Sequence, residues 1–311
     1  MHEKVTHQVT CVGVVTLDAL ALVDQYPACD ERVVAQTIRF AGGGPAATAA
    51  VVLARQGVKV SFVGRVGDDE AGREALNQLE SEGVNVSGVE RSRTVATQTS
   101  CVIVAEQAQT RAISTLQVPP LNGLTLAAQE RIAASTWVHA DHLGFAPLAD
   151  FLRGLHRRPL VSLDAGNPVA GLDLTMVDLF VPTVESLGST AGIGDDPTAA
   201  AKAVMNHGTA AVVATDGARG SFAWWGDRST IAAAAETGTA FAPAATGVDI
   251  VSTLGAGDVF HGGLLAALCR GESWSEALRS ANWTAALSCR ALDGRSAVPT
   301  LDELRAAIGA A

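Results

Sequence analysis

Four consecutive residues, Gly255, Ala256, Gly257 and Asp258, have the types and spacing that group transfer to a hydroxyl requires. They precede an apolar stretch that predicts a helix over 259–270. Small residues at a helix start leave its first amides bare, and the macrodipole is positive there, so the turn attracts anions. Asp258 adds a carboxylate that can accept a proton, which suits phosphoryl transfer. The same residues also fit an ordinary helix start.

The composition narrows the classes of function. With 311 residues, 48% hydrophobic and 17% charged, the chain is long and apolar enough for a well-buried α/β core. The net charge of −10 opposes binding to nucleic acid or to anionic membranes. Five scattered cysteines without metal-ligand spacing indicate reduced thiols in the cytoplasm. We expect neither a signal peptide in the polar first residues nor a membrane span.

Short apolar strands alternate with helices along most of the chain, which predicts a doubly wound, mostly parallel sheet with helices on both faces. Two segments, about 19–40 and 97–116, alternate between apolar and polar residues instead. We expect them to form a small β-sheet lid over the strand ends, where open α/β sheets bind ligands. The chain is therefore interpreted as a single domain, 1–311, with the lid inserted in the core. The predicted core strands are 9–15, 59–63, 136–140, 160–164, 179–182 and 210–215, and the predicted helices are 46–56, 70–82, 126–135, 147–156, 197–207, 259–270, 275–291 and 301–308.

A glycine-rich turn, from Gly42 to Thr48, admits two interpretations. A dinucleotide-binding turn would need an apolar strand directly before it, a third glycine where Ala47 stands, and an acid after the next strand. The chain lacks these features. The turn is better suited to a polyol, which can approach the backbone at Gly43 and Gly44 closely while Thr48 offers a hydroxyl.

Other polar residues follow predicted strands. Asp18 comes just after the first strand and could accept two sugar hydroxyls, or serve only as a turn acid. The turn 215–220 can direct amides at phosphates. Asp68 or Asp69 is expected to cap the next helix. His139 and His142 flank an aspartate, and we favour polar residues of a pocket wall over metal ligands.

Taken in this order, these segments resemble the ribokinase-like (PfkB) sugar kinases, from about residue 9 to 299. The resemblance implies ATP with Mg²⁺, Asp258 as the base, and an anion hole made by the amides of Gly255, Ala256 and Gly257. It also implies a homodimer formed through the lid. The residues implied for the sugar are Asp18, Gly43, Gly44 and Thr48, and those implied for the nucleotide are Thr215, Gly217, Gly220, Asn282 and Glu185, the last also holding Mg²⁺ through water.

The strings GGGPAATAA, GRVGDD and GAGDVFHG look most like the sulfofructose kinase branch. This resemblance implies transfer to a primary hydroxyl of a ketose, including 6-deoxy-6-sulfofructose. Arg32, Thr115 and His142 are the candidate donors to a sulfonate. Ser252 stands where the family usually has an aspartate that helps bind a monovalent cation, so little potassium activation is expected.

Two alternatives remain at this point. Within the same class, the chain could be a kinase for a neutral sugar such as fructose or ribose. In a different class, it could be a catalytically weak sugar-binding or regulatory protein, which the altered Ser252 and the incomplete acidic motif around Glu185 would favour. Retention of Asp258 and of both glycine-rich segments argues for the enzyme.

Overall fold

The computed structural model describes residues 8–108, 110–194, 196–227, 231 and 237–310. The polar residues 1–7, on which the expectation about a signal peptide rests, lie outside this part of the chain. Among the described residues, no helix combines the length and apolarity needed to cross a bilayer.

In the described part of the chain, eight strands form the core sheet, in the order β14-β13-β12-β11-β10-β9-β1-β4. The six strands from β12 to β4 run parallel, and β13 and β14 extend one edge antiparallel. The predicted mostly parallel sheet is confirmed. The core strands are β1 (Gln8–Val12), β4 (Lys59–Val63), β9 (Trp137–Ala140), β10 (Leu160–Asp164), β11 (Leu179–Val181), β12 (Ala211–Thr215), β13 (Ser221–Trp225) and β14 (Gly238–Ala242).

Helices cover both faces of this sheet, because successive side chains of each strand point to opposite faces. One apolar core lies between the sheet and α1, α2, α7 and α8, and the other lies between the sheet and α3 to α6. The helices are α1 (Pro45–Arg55), α2 (Glu70–Ser81), α3 (Leu126–Ala133), α4 (Phe145–Leu152), α5 (Val184–Ala191), α6 (Pro197–Asn206), α7 (Ala256–Cys269), α8 (Trp274–Ser288) and α9 (Leu301–Ala310).

A separate four-stranded sheet, ordered β3-β2-β7-β8, forms the lid. Its strands are β2 (Thr16–Val23), β3 (Thr37–Gly43), β7 (Gln98–Ala105) and β8 (Thr110–Leu116). Strands β2 and β7 pair in parallel, and the two outer pairs are antiparallel. A further parallel pair joins β5 (Arg65–Gly67) to β6 (Glu90–Ser92). The small lid sheet is therefore confirmed.

Three local predictions are corrected. Asp18 lies inside lid strand β2 rather than in a turn after the first strand, because β2 begins at Thr16 soon after β1 ends. The alternating residues 24–36 contain no strand, although their pattern predicted one. Helix α7 begins at Ala256, three residues earlier than predicted, so the Gly-Ala-Gly-Asp segment forms its N-cap and first turn. The expected cap by Asp69 is confirmed, since its side chain accepts the N–H of Gly72 at 2.8 Å.

Gly44 joins the lid to the core, and the backbone conformation at this position requires a glycine. It has φ 94°, and a Cβ there would overlap the carbonyl oxygen of Val14 in the chain that follows β1. Pro45 then opens α1 at its first position, where its missing N–H costs nothing. The close approach of Gly44 to Val14 therefore fixes where α1 begins relative to the sheet.

We predict that Gly44→Ala destabilises the protein more than Gly57→Ala does. Gly57 also has positive φ, but a Cβ there meets nothing within 4 Å. Gly57→Ala should cost about 1–2 kcal/mol for its left-handed backbone, and Gly44→Ala roughly 1–3 kcal/mol more for the overlap. Urea unfolding of both variants measures the difference. Equal losses of unfolding free energy in the two variants would show that the backbone at Val14 can move aside without loss of stability.

Candidate active site

The carboxylate of Asp141 organises the chain at the carboxyl edge of the core sheet. It is fully buried and accepts backbone N–H groups of Val14 at 2.8 Å, Leu143 at 2.9 Å, Gly144 at 3.0 Å and Ala46 at 3.3 Å. These donors belong to the chain after β1, the chain after β9 and the first turn of α1. One side chain thus forms hydrogen bonds to three segments of the chain that surround the cavities described below.

A small polar cavity of about 60 Å³ lies between the lid and the core. Strand β2 contributes Asp18, the glycine turn contributes Gly43 and Gly44, and α1 contributes Thr48. The N-terminus of α7 contributes Gly255 and Asp258. The structure therefore brings together, from three separate parts of the chain, the residues that the family resemblance implied for the sugar and for the base.

Asp18 faces this polar cavity from the inner side of the lid. Burial raises its pKa, and the neighbouring Thr16 and Ser100 oppose that rise. Gly43 is its neighbour, and a Cβ at Gly43 would overlap the carboxylate. The lack of a side chain at Gly43 therefore leaves room for Asp18 to face the cavity.

A buried arginine, Arg295, supports the wall of the polar cavity. Its Nε donates to Thr48 Oγ1 at 3.1 Å, and its Nη2 donates to the carbonyl of Gly43 at 2.5 Å. Burial lowers its pKa to about 10, with Asp18 and Asp258 opposing the shift, so the guanidinium remains charged at neutral pH. Because Arg295 donates to the Thr48 oxygen, the hydroxyl proton of Thr48 is left to point elsewhere, for example at a ligand.

Asp258 lies in the first turn of α7, where it is half-buried with other carboxylates nearby. Burial and then the charge of Asp164 raise its pKa to about 7, and His261 opposes this shift. His261 Nδ1 lies 3.1 Å from Asp164 Oδ2, and both side chains are 5% exposed. Burial lowers the pKa of His261, but the charge of Asp164 more than offsets it, and the net shift is upward. Asp258 is thus a carboxylate that gains and loses a proton near neutral pH.

The start of α7 also borders two larger cavities. The residue at its N-cap, Gly255, has φ 74°, and no side chain caps the helix. A Cβ at Gly257 would meet nothing within 4 Å, so this turn stands open. Gly257 lines both a cleft of about 1010 Å³ and a more enclosed cavity of about 460 Å³. The N–H of Ala256 donates to the carbonyl of Thr253 at 3.3 Å, and the helix start at Gly257 faces a space large enough for a nucleotide.

The residues expected at a nucleotide line these two cavities. Thr215 and Gly217 border both, Gly220 borders the smaller one, and Glu185 borders the larger one at the start of α5. Asn282 also lines the smaller cavity, but its side-chain amide donates to the carbonyls of Ala242 and Pro243 at 3.0 Å. Asn282 therefore fixes the wall of the cavity.

The three candidate sulfonate donors are not part of the polar cavity lining. Arg32 is exposed on the loop between β2 and β3. Thr115 lies on β8, where its hydroxyl is 3.2 Å from that of Ser100, which pairs with Asp18 across the lid. His142 is half-buried beside Asp141. No group of three potential metal-ligating side chains occurs in the described residues.

Sequence reasoning missed Arg295, Asp293 and the Asp164–His261 pair. Asp293 and Arg295 lie in the loop after α8, where no repeated pattern marks them. Asp164 ends a predicted strand and His261 lies three residues after Asp258, one helical turn along the same face. The three-residue spacing between Asp258 and His261 was the sequence feature that could have indicated a role for His261.

Comparisons with known proteins identify relatives that match most of this chain. The model of the family described as pfkB family carbohydrate kinase matches residues 6–138 and 161–301. A ribokinase of Haemophilus influenzae is 24% identical, with 94% of this chain and 96% of that protein covered. A ketohexokinase of Mus musculus is 27% identical, with coverage of 93% and 97%. The crystal structure of a putative ribokinase from Agrobacterium tumefaciens superimposes with a TM-score of 0.81 at 25% identity, covering 98% of each chain.

We predict that Asp141→Asn destabilises the fold by about 2–4 kcal/mol, because an amide NH₂ would face backbone N–H donors and leave buried groups unpaired. Asp150→Asn is the matched control, since Asp150 is an exposed partner of Arg153 on α4. That control should change stability by less than about 1 kcal/mol. Urea unfolding of the two variants is the measurement, and a similar small effect in both would contradict the organising role of Asp141.

Proposed function

The chain belongs to the pfkB family of carbohydrate kinases, and we propose that it transfers the γ-phosphoryl group of ATP to a primary hydroxyl of a neutral sugar. The observation that carries this proposal is the position of α7. Its first turn borders the polar cavity through Asp258 and the two nucleotide-sized cavities through Gly257. A hydroxyl and a phosphoryl group could therefore meet at one helix start.

The proposed reaction is an in-line displacement. Asp258 takes the proton of the sugar hydroxyl, a bond forms between that oxygen and the γ-phosphorus, and the bond from the γ-phosphorus to the β–γ bridging oxygen breaks. ADP leaves with the bonding electrons. The amides at Gly255, Ala256 and Gly257 stabilise the charge on the transferring group, with the N–H of Ala256 giving up its 3.3 Å bond to the Thr253 carbonyl.

Two carboxylates in the larger cavity suit a magnesium ion. Glu185 and Asp216 both line it, and Asp216 is also paired with Arg219. Mg²⁺ is commonly held by one or two carboxylates together with phosphate oxygens and water. When bound, Mg²⁺ would neutralise phosphate charge, and we propose Glu185 as its ligand through water. The base and phosphates of ATP would occupy the cavities lined by Thr215, Gly217 and Gly220.

The charge of the polar cavity favours an uncharged substrate. Asp18, Asp258 and Asp293 line it, and no Arg, Lys or His is among the described lining residues. Carboxylates accept hydrogen bonds from sugar hydroxyls but repel a sulfonate. The similarity to a ribokinase and a ketohexokinase supports a neutral pentose or ketohexose. We therefore propose ribose or fructose over 6-deoxy-6-sulfofructose.

Two further properties belong to the same proposal. The outer face of the lid exposes Ile38, Phe40 and Leu116 at 68%, 67% and 58%, an apolar surface that would be buried in a homodimer formed through the lid. Potassium should activate little, because Ser252 supplies no carboxylate and its Oγ already accepts the N–H of Leu254 at 3.2 Å. The described cysteines are free, as a reducing cytoplasm would keep them.

We predict that Asp258→Asn lowers kcat by roughly 10²–10⁴-fold, the usual contribution of general-base catalysis, while sugar binding is largely kept. ADP release is measured with ribose, fructose and 6-deoxy-6-sulfofructose for the variant and the wild type. Asp302→Asn is the control, since Asp302 lies exposed in the first turn of α9. Near-normal turnover by Asp258→Asn would contradict the assignment of Asp258 as the base. No turnover of any of the three sugars by the wild type would contradict the proposed function.

We also predict an acid limb in the pH dependence of kcat/KM. The base acts only when deprotonated, and the pKa of Asp258 is raised to about 7, so activity should fall as pH drops through that value. The fall should approach about tenfold per pH unit well below it. His261→Gln removes a positive charge that favours the Asp258 carboxylate, so the limb should move to higher pH. A uniform loss of activity with an unchanged profile would contradict the electrostatic link.

A further inference from the structure

We propose that Asp164 is a positioning residue for the base, and that it acts through His261 by keeping a proton on that buried imidazole. This role rests on the proposed function, because Asp258 is the base only in that reaction. Asp164 is the last residue of β10, and His261 lies on α7 three residues after Asp258. The influence of Asp164 therefore runs from the edge of the core sheet, through the imidazole, to the first turn of α7.

The carboxylate of Asp164 is held at both of its oxygens. Its Oδ1 accepts the N–H of Gly166 at 2.8 Å, in the chain that follows β10. Its Oδ2 lies 3.1 Å from Nδ1 of His261, and both side chains are 5% exposed. Because the backbone fixes one oxygen, the other oxygen is held against the imidazole. This contact therefore fastens the first half of α7 to the end of β10.

His261 is buried, so bulk water does not stabilise its charge. Burial is the largest influence on its pKa and lowers it, whereas Asp164 and then Asp258 raise it, and the net shift is upward. A buried imidazole without a carboxylate partner loses its proton more readily than an imidazole in water. The positive charge of His261 therefore depends on Asp164.

A second histidine, His139, lies beside His261 but does not carry a charge. It is on β9, and its ring centroid is 5.7 Å from that of His261. Its Nδ1 lies 3.3 Å from the uncharged hydroxyl of Ser162, and its Nε2 has no hydrogen-bond partner among the described residues. Burial and then the charge of His261 lower the pKa of His139 to about 3. The two rings thus carry one positive charge between them, on the ring that contacts Asp164.

Other charged groups face Asp258 from the elements packed around it. Asp141, after β9, raises the pKa of Asp258, whereas Arg295, in the loop after α8, lowers it. Asp18 on β2 and Asp293 after α8 line the polar cavity together with Asp258. These four groups stay in place when either member of the buried pair is replaced. A change in the protonation of Asp258 can then be assigned to the pair.

The two charges of the pair oppose each other at Asp258, because Asp164 raises its pKa and His261 lowers it. His261→Gln leaves the carboxylate of Asp164 without a compensating charge. Asp164→Asn leaves a buried imidazole that gives up its proton, so neither charge remains. The acid limb of kcat/KM should therefore move up by at least about one pH unit in His261→Gln. It should move by less than half as much in Asp164→Asn.

Nuclear magnetic resonance of protein labelled with ¹⁵N-histidine tests the pair without turnover. The chain has seven histidines, and the signals missing from His261→Gln identify that ring. At about pH 6, below the ordinary pKa of histidine, Asp258 is mostly protonated. The His261 ring should then be an imidazolium in the wild type and in His207→Gln, a control at an exposed position after α6. It should be neutral in Asp164→Asn. A neutral ring in the wild type, or an imidazolium in Asp164→Asn, would overturn the proposal.

The pH dependence of kcat/KM separates a direct effect of Asp164 from an effect through His261. A direct effect would move the acid limb of Asp164→Asn to lower pH, because His261 would keep its charge, and that result would contradict the role of Asp164. If no sugar is turned over, the proposed function fails, but the resonance measurement still decides the charge of His261. Urea unfolding shows whether the variants are folded. Asp164→Ser, which also removes the charge and keeps an acceptor for the N–H of Gly166, takes the place of Asp164→Asn if that variant does not fold.

Discussion

The arrangement of the segments around the polar cavity depends on the hydrogen bonds that the buried carboxyl group of Asp141 accepts from backbone N–H groups. Parallel strands end at a common edge, and the chain leaving each strand has backbone N–H groups that no ladder satisfies. Asp141 accepts four such groups, from the chain after β1, the start of α1 and the chain after β9. The positions of Gly44 and Thr48 follow from it, because both lie at the start of α1. The polar cavity is thus built on one buried carboxyl group that accepts four backbone N–H groups.

The charges around Asp258 act on its pKa in opposite directions. Asp164 and Asp141 raise the pKa of Asp258, whereas His261 and Arg295 lower it, and burial is the largest influence. The result is a carboxyl group whose pKa is about 7. A base is most effective when its pKa lies near the working pH, since it is then both deprotonated and able to accept a proton. The same acids give the lining of the polar cavity a negative charge.

Much of the fold could be predicted because apolar strands and amphipathic helices follow different periods. Strands Lys59–Val63 and Leu160–Asp164 were predicted to the residue. Helix α5 was missed because its glycine, serine and threonine have low helix propensity, and its cap at Thr183 stabilises it instead. The Gly-Ala-Gly-Asp motif was recognisable because its spacing is local. Arg295 was not, because its role comes from contacts with Thr48 and Gly43, which are distant in sequence.

The most direct test of the central claim is a crystal structure of the protein with its sugar and a non-hydrolysable ATP analogue. We expect the primary hydroxyl to lie within hydrogen-bonding distance of the Asp258 carboxylate and in line with the γ-phosphorus. We also expect the γ-phosphate to lie against the amides of Gly255 to Gly257. A hydroxyl held by another group, or a nucleotide bound away from the start of α7, would contradict the role assigned to Asp258 and to this helix start.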